Sequence, residues 1–483
     1  MKGFFSHISI FIILILQSIL FSGLLGGCRE DYEERRPELT DGYIILNLML
    51  PIVPSDDSES ILTRAEITES GSLMENRINS VSFYIVEEGT SNILIKRTNL
   101  PAEIISEGTD ERIIYSVKSQ IIPESFAGLT AGKKMQLYVV ANNDNHDLSL
   151  GLEKSTFSYE KLLFYGEEGQ YVPMSNKEIS GTLDFSNLSA QQIITLFKEE
   201  DDFTLDLSTT SGGFGTIELQ RGLARLDYKD KNREEGSVPN VYQLGNTGIY
   251  LKVKEIIPIN VHNRSYLLRH SMDEKGSPVL FGNGELTADY DWADKTGFFN
   301  LPPELNDGWT SVKELTENDI TDKIGSGYHP WCYVSENTLP DPESTKQGVT
   351  TGVAFKMILC DEAGKDRVKG DNLPSGVTIH DGPNPYIQIG SVSSDLTPED
   401  DGSYSLTYYY FIRHKDNGDP GITGEMEFGV MRNTIYKLSI VSISGLPREY
   451  DPEEDVEEKT TGPVITVNIK VKPWDYTSVI WNI

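Results

Sequence analysis

Cysteine is nearly absent: Cys28, Cys332 and Cys360 are the only three in 483 residues. That excludes a disulfide scaffold and a four-thiolate zinc site. Cations are outnumbered, with 42 Lys and Arg against 74 Asp and Glu and a formal net charge of −32. Phosphate binding needs clustered cations, so nucleic acid is excluded as a partner. The 42 Gly and 23 Pro are too few for a collagenous or low-complexity chain. The seven His are scattered at 7, 146, 262, 270, 329, 380 and 414, without metal-ligand spacing. No G-x-S-x-G elbow, H-E-x-x-H or P-loop occurs. Ser211 to Gly215 lacks the second spacing of a dinucleotide loop. The oxygen-rich stretches 142–147 and 230–236 do not follow the ligand order of a calcium loop and read as solvated turns. These absences point to a non-enzymatic chain with no cofactor and no catalytic or metal site.

What is present is apolar and aromatic. Hydrophobic residues make up 38% and aromatics 10%, enough for packed cores. One long apolar run stands out, from Ile8 to Leu25, preceded by Lys2 and closed by small residues and Cys28. This is the layout of a secretory signal, although the run is also about long enough to span a membrane. Leu25-Gly26-Gly27-Cys28 resembles a bacterial lipobox. The resemblance implies a lipoprotein signal peptide over 1–27 and a lipidated (palmitoylated) Cys28 that opens the mature chain. The acidic tract from Glu30 to Glu34 looks like a surface-export signal of Bacteroidetes lipoproteins, and otherwise reads as a solvated tether. The expected location is the outer membrane at the cell surface.

Beyond the tether the dominant period is two. Strands are expected at Tyr43–Leu50, Ile78–Val86, Lys134–Ala141, Gly215–Leu219, Ile249–Val253, Val353–Leu359, Tyr404–Ile412, Glu425–Val430, Tyr436–Ile443 and Val464–Val471. Turn clusters such as Asn142-Asn143-Asp144 and Asp416 to Gly421 separate them. Many short strands with few helices signal an all-β chain of β-sandwiches. One helix is expected, opened by the capping box Ser189/Gln192, with Ile193, Ile194 and Phe197 on its apolar face. The polar stretch from Lys229 to Asn240 marks an interior boundary, dividing an N-terminal domain, 65–230, from a C-terminal one, 238–472.

An exported compartment permits a disulfide between Cys332 and Cys360, while their apolar neighbours favour two small buried thiols. At the C-terminus, Ile465, Val467, Ile469 and Val471 alternate with polar residues as in a half-buried strand, and Pro473 is expected to interrupt the ladder. The tail 473–483 is unusually apolar for a free terminus, with Trp474 and Tyr476, and with Val479, Trp481 and Ile483 alternating on one face.

Four stretches resemble the fimbrillins, subunits of the type V pili of Bacteroidales. They are Leu62-Thr63-Arg64-Ala65 upstream of a strand, Ile217 to Asp227, Tyr333 to Thr338 with Gly348 to Phe355, and Met426 to Leu438 with Ile443 to Gly445 and Val464 to Trp474. The last is most similar to fimbrillins of minor fimbriae. The resemblance implies two tandem transthyretin-like β-sandwich domains. It also implies a structural pilus subunit exported as a lipoprotein, cut by an Arg-specific protease and polymerised by strand exchange with other fimbrial subunits. On this sequence the cut falls between Arg64 and Ala65, removing 28–64 with the strand Tyr43–Leu50. The exchanged segment is then the tail carrying Trp474, Tyr476, Val479, Trp481 and Ile483. Two alternatives stand beside it: a tip or accessory adhesin with a host or bacterial surface ligand, and a surface glycan-binding lipoprotein. The second is suggested by the five Trp, of which 292, 309, 331 and 474 lie among turns or near strand ends.

Overall fold

The computed structural model describes 42–50 and, with breaks, 69–475; the larger breaks are 231–237, 281–314, 317–326, 339–344, 415–423 and 457–463. The described chain is almost entirely β. The described residues from Gly42 on form one compact unit built around two main hydrophobic cores.

The first core is enclosed by a ring of strands. In chain order they are β1 (Gly42–Leu50), β2 (Glu69–Ser70, which belongs to the second core), α1 (Leu73–Asn76), β3 (Ser80–Glu87), β4 (Ile93–Glu107), β5 (Ile113–Ile121), α2 (Pro123–Thr130) and β6 (Lys134–Ala141). Then come β7 (Met174–Asn176), α3 (Ala190–Phe197), β8 (Asp202–Asp206) and β9 (Ile217–Arg221). β3 sits between β4 and β6, and β7 links β6 to β9. The long strand β4 serves two partners, pairing with β3 up to Pro101 and with β5 from Ala102. β1 closes the circuit, antiparallel to β5 on one side and parallel to β8 and β9 on the other. Where β7 stops, the Asn176 side chain substitutes for backbone, accepting from Val139 N and donating to Leu137 O. A buried amide so paired avoids the desolvation cost of an unmade bond.

α3 begins at the expected capping box, with Ser189 and Gln192 bonded reciprocally. Its residues Ile193 and Phe197 are buried. The acidic residues beyond it do not continue the helix; Lys198 and Glu199 turn into a short strand against β8. α2 carries no comparable sequence signal. It starts on Pro123, whose fixed φ suits a first helical position, and buries Phe126 and Ala127.

The change of core falls at Gly222, ahead of the polar stretch 229–240. β10 (Leu223–Tyr228) follows β9 after one residue yet pairs in a different sheet, with β12 (His329–Ser335) and β15 (Thr434–Ile443). Thus the stretch Ile217 to Asp227 is divided between the two cores. Gly222 permits this close passage, because a Cβ there would lie 2.9 Å from the Phe157 ring. The two ends of the stretch 229–240 are clamped: buried Asp230 accepts from Asn240 N at 2.8 Å and from the Tyr242 hydroxyl at 3.0 Å.

The second core lies between two sheets. One runs β2, β16 (Ile465–Asp475), β15, β10, β12 and Leu163–Phe164. The other runs Val241–Gln243, β11 (Tyr250–Ile259), β13 (Gly352–Cys360), β14 (Tyr404–Phe411) and Thr397–Pro398. Leu226, Leu438 and Ile440 from the first meet Val253, Phe355, Met357 and Leu406 from the second in one cluster. β13 is central and buried on both faces, which explains its near-continuous apolar run. Segments from the first half reach across: Leu163–Phe164 pairs with β12, and Thr156–Ser158 pairs with Arg264–Tyr266.

One expected strand is not found, and one expected break in pairing is. Within Glu425–Val430, the described residues 427–430 do not form a strand. Glu427 and Phe428 are in a turn, and Val430 makes a single bridge to Asn337. The ladder between β15 and β16 ends as expected at Pro473, opposite Thr434, although β16 itself runs on to Asp475, where its last two residues pair with β2. Proline is tolerated because β16 lies near the sheet edge, where the missing N–H has no obligatory partner.

Cys332 and Cys360 are both free and buried, so no disulfide joins them. Cys332 packs inside the second core on β12, while Cys360 ends β13 in the facing sheet. Burial, followed by the nearby Asp227 carboxylate, pushes the Cys332 thiol well up. Burial pushes Cys360 up to about 12. Raised thiols stay protonated at neutral pH, and the thiol is a poor nucleophile. In a chain carrying Cys28→Ala, neither is expected to react with a water-soluble aromatic disulfide at pH 8 in the native state. Both react once the chain is unfolded. A fast native reaction of either would contradict the burial.

Candidate functional site

β1 has the features of a strand that completes a core. Its nine residues alternate strictly, with Ile44, Leu46, Leu48 and Leu50 at 0–1% exposure and the intervening residues half-buried. Period-two alternation of this kind places one face on the core. All nine residues pair with β5, from Gly42 opposite Ile121 to Leu50 opposite Ile113. On the opposite edge Gly42 to Ile45 pair with Phe203 to Asp206, and Leu48 and Met49 pair with Ile217 and Glu218. The gap between those two partners is bridged: Leu207 N donates to Ile45 O at 2.9 Å, and Asn47 N donates to Ser208 Oγ at 2.7 Å. Burying four aliphatic side chains contributes roughly 6–12 kcal/mol gross.

The Gly42 end of β1 is crowded. A Cβ there would come within 2.9 Å of Pro123 at the start of α2 and 3.1 Å of Phe203. On the half-buried face the Lys118 ammonium lies 3.8 Å from the Tyr43 ring centroid, a cation–π contact. If β1 were withdrawn, β5 on one side and β8 and β9 on the other would be left as open edges lining an apolar groove. Open, flat, hydrophobic edges invite pairing with another chain.

The C-terminal strand β16 is more exposed than β1. Ile465 is buried, while Val467, Ile469 and Val471 are half-buried against the second core. Thr466, Asn468 and Lys470 are exposed. This is the expected half-buried alternation. β15 covers one edge of β16 from Ile465 to Pro473. On the other edge, among the described residues, only β2 pairs, with Glu69 and Ser70 parallel to Trp474 and Asp475. Beside it, between β14 and the start of β16, lies a cleft of about 250 Å³ lined by Tyr408 to Phe411, Arg413, Val464 to Val467 and Ile469 among others.

Of the sequence-predicted site residues, Trp474 lies within β16. Cys28, Arg64, Ala65, Tyr476, Val479, Trp481 and Ile483 lie outside the described residues. The chain on either side of Arg64 is fixed nonetheless: it leaves β1 at Leu50 and is next described at Glu69, beside the C-terminal strand. Trp331, one of the aromatics suggesting a glycan platform, is 3% exposed inside the second core. The loop residue Asn142 is structural. Its Oδ1 accepts from Asn79 N at 2.7 Å, and its Nδ2 donates to Arg77 O and Val172 O. Its φ of 61° is a conformation that Asn tolerates better than most residues. Among the described residues no group of three or more His, Cys, Asp or Glu is placed to hold a metal ion. Sequence reasoning missed the double edge of β1. Alternation reveals one buried face and says nothing of how many strands flank it.

The comparisons with known proteins bear on the second core. Residues 403–478, which span β14 to β16, match the family described as major fimbrial subunit protein type IV, fimbrillin, C-terminal. No curated protein sequence matches the chain. Among solved structures, a candidate cell adhesion protein of Parabacteroides distasonis is 15% identical, with 91% of this chain and 100% of that one covered and a TM-score of 0.42. A fimbrilin (fimA) of Porphyromonas gingivalis W83 is 13% identical over 91% and 99%, with a TM-score of 0.36. The tip fimbrial protein Mfa3 of the same species, with a C-terminal truncation, is 13% identical over 90% and 100%, with a TM-score of 0.33.

Proposed function

We propose that this chain, a fimbrillin by its match over residues 403–478, is a subunit of a cell-surface fimbrium that polymerises by strand exchange. The precursor is a lipoprotein held to the outer membrane through Cys28. An Arg-specific protease cuts after Arg64, β1 leaves, and the groove accepts a strand from a neighbouring subunit. The C-terminal tail from Trp474 supplies that strand. The observation that carries the reading is β1: a strand buried on its whole inner face, paired on both edges, and joined to the rest of the chain through a polar stretch, 51–68, that contains Arg64. Proteases require extended, accessible chain, which such a connection suits better than a sheet does. A replacement strand restores both ladders and refills the apolar face, as in β-augmentation generally.

N-terminal sequencing of assembled material is expected to start at Ala65. Arg64→Ala is expected to leave exported, folded, monomeric protein that retains β1. Filaments of normal length from that variant, with Cys28 still at the N-terminus, would refute maturation at this position. Deleting 474–483 is expected to leave a cleaved monomer that does not polymerise.

A further inference from the structure

Withdrawal of β1 poses a mechanical problem. β1 and the chain after Arg64 are consecutive, so a pull on one could unravel the other. The next regular elements after the breaks around β2 are α1 and then β3. Two adjacent residues of α1, Glu75 and Asn76, are each 1% exposed. They face different cores. The Glu75 carboxylate accepts from the Arg225 guanidinium at 3.1 and 3.2 Å and from the Tyr333 hydroxyl at 2.8 Å, on strands β10 and β12 of the second core. Arg225 is held in turn by Asp227, with Nε to Oδ1 at 2.8 Å and Nη2 to Oδ2 at 3.0 Å. Asn76 engages the first core: its Oδ1 accepts from Arg221 on β9, and its backbone carbonyl accepts from the Tyr115 hydroxyl on β5 at 3.0 Å.

None of these partners belongs to β1. Tyr115 does stand opposite Leu48 of β1, but its strand is also held by β4, where Tyr115 pairs with Ile104. The second core's contacts to Glu75 come from strands that β1 never touches. Charge-assisted hydrogen bonds with buried partners are the strong ones, and breaking one strands a desolvated charge.

We infer that Glu75 and Asn76 form a two-sided fastening that holds the start of the mature subunit to both cores, so that β1 can leave the first core without loosening the second. The inference rests on the proposed withdrawal of β1. It makes the fastening a conformational device. The chain opens on one side of residues 51–68 and stays locked on the other, and β2 is kept beside the C-terminal strand from which the tail departs.

Hydrogen exchange tests it. The full chain carries Cys28→Ala and a sequence-specific protease site placed within 51–68, is cut, and keeps both fragments. Native-state exchange in rising denaturant is then followed at 43–50 and at 75–79. In the cut protein the β1 amides are expected to open first, with 75–79 about 100-fold more protected. Glu75→Ala is expected to abolish that difference, so that 75–79 opens with β1. Glu75→Gln preserves the shape and is expected to lose about tenfold of the protection at 75–79 while leaving β1 unchanged. If 75–79 opens together with β1 in the unsubstituted cut chain, or if neither Glu75 variant changes its protection, the fastening is overturned and the withdrawal of β1 stands. If cutting leaves β1 as protected as before, the withdrawal itself is refuted, and the fastening with it.

Discussion

A synthetic peptide of Gly42 to Leu50 is expected to stabilise a chain that begins at Ala65. Without β1, that chain retains the second core but presents an open groove between β5 and the β8–β9 edge, so it is expected to self-associate and to melt early in its first core. The peptide refills four fully buried positions and restores pairing on both edges. Burial alone does not guarantee tight binding, because ordering nine residues costs about 1–2 kcal/mol each. The two ladders must therefore contribute to the net affinity. At peptide concentrations near 100 times its dissociation constant, linkage stabilises by about 2.7 kcal/mol, which raises the melting temperature of a domain this size by roughly 5–10 °C. A peptide with Asp in place of Leu46 and Leu48 puts two charges into the apolar groove and should give no shift. Calorimetry with and without peptide, paired with light scattering, decides it. A chain starting at Ala65 that is monomeric and melts like the full-length protein would remove β1 from its assigned role.

The second large effect is expected at Arg432. Its Nε lies 2.7 Å and its Nη2 2.6 Å from Glu336 Oε2, and Nη2 also donates to Tyr266 O at 2.8 Å. Glu336 is 0% exposed and Arg432 4%. The pair ties the end of β12 to the start of β15 at the edge of the second core. Arg432→Ala leaves a buried carboxylate without its cation, which typically destabilises by about 3–5 kcal/mol. Thermal unfolding should then begin roughly 10 °C lower. Replacing both residues by Met should recover most of the loss, because two apolar side chains leave no stranded charge. Equal melting of the single and double variants would show that the pair contributes packing and not charge compensation.

These effects draw on features that were unevenly legible in the sequence. The strands could be read because alternation reports a single fact, which residues face a core, and that fact is local. β1, β6, β14 and β15 appear within two residues of their expected bounds, and α3 begins at its capping box. Glu425–Val430 misled because an apolar spacing of the same kind also suits a turn: among its described residues Phe428 and Val430 are both buried, in different clusters. The disulfide was permitted by composition and compartment. Only the sheets decide that Cys332 and Cys360 stand on opposing layers as separate buried thiols.

By itself, then, the sequence determined the all-β class, the fimbrillin resemblance at the C-terminus and the candidate positions Cys28 and Arg64, because each is written in periodicity or in a contiguous motif. Only the tertiary structure decided that β1 closes a ring, that the cores change at Gly222, and that Glu75 and Asn76 face opposite cores. Those are properties of pairing between residues as much as 258 positions apart, as Glu75 and Tyr333 are. Pairing at that range depends on which edges remain free once every other strand is placed. No local pattern of side chains encodes it.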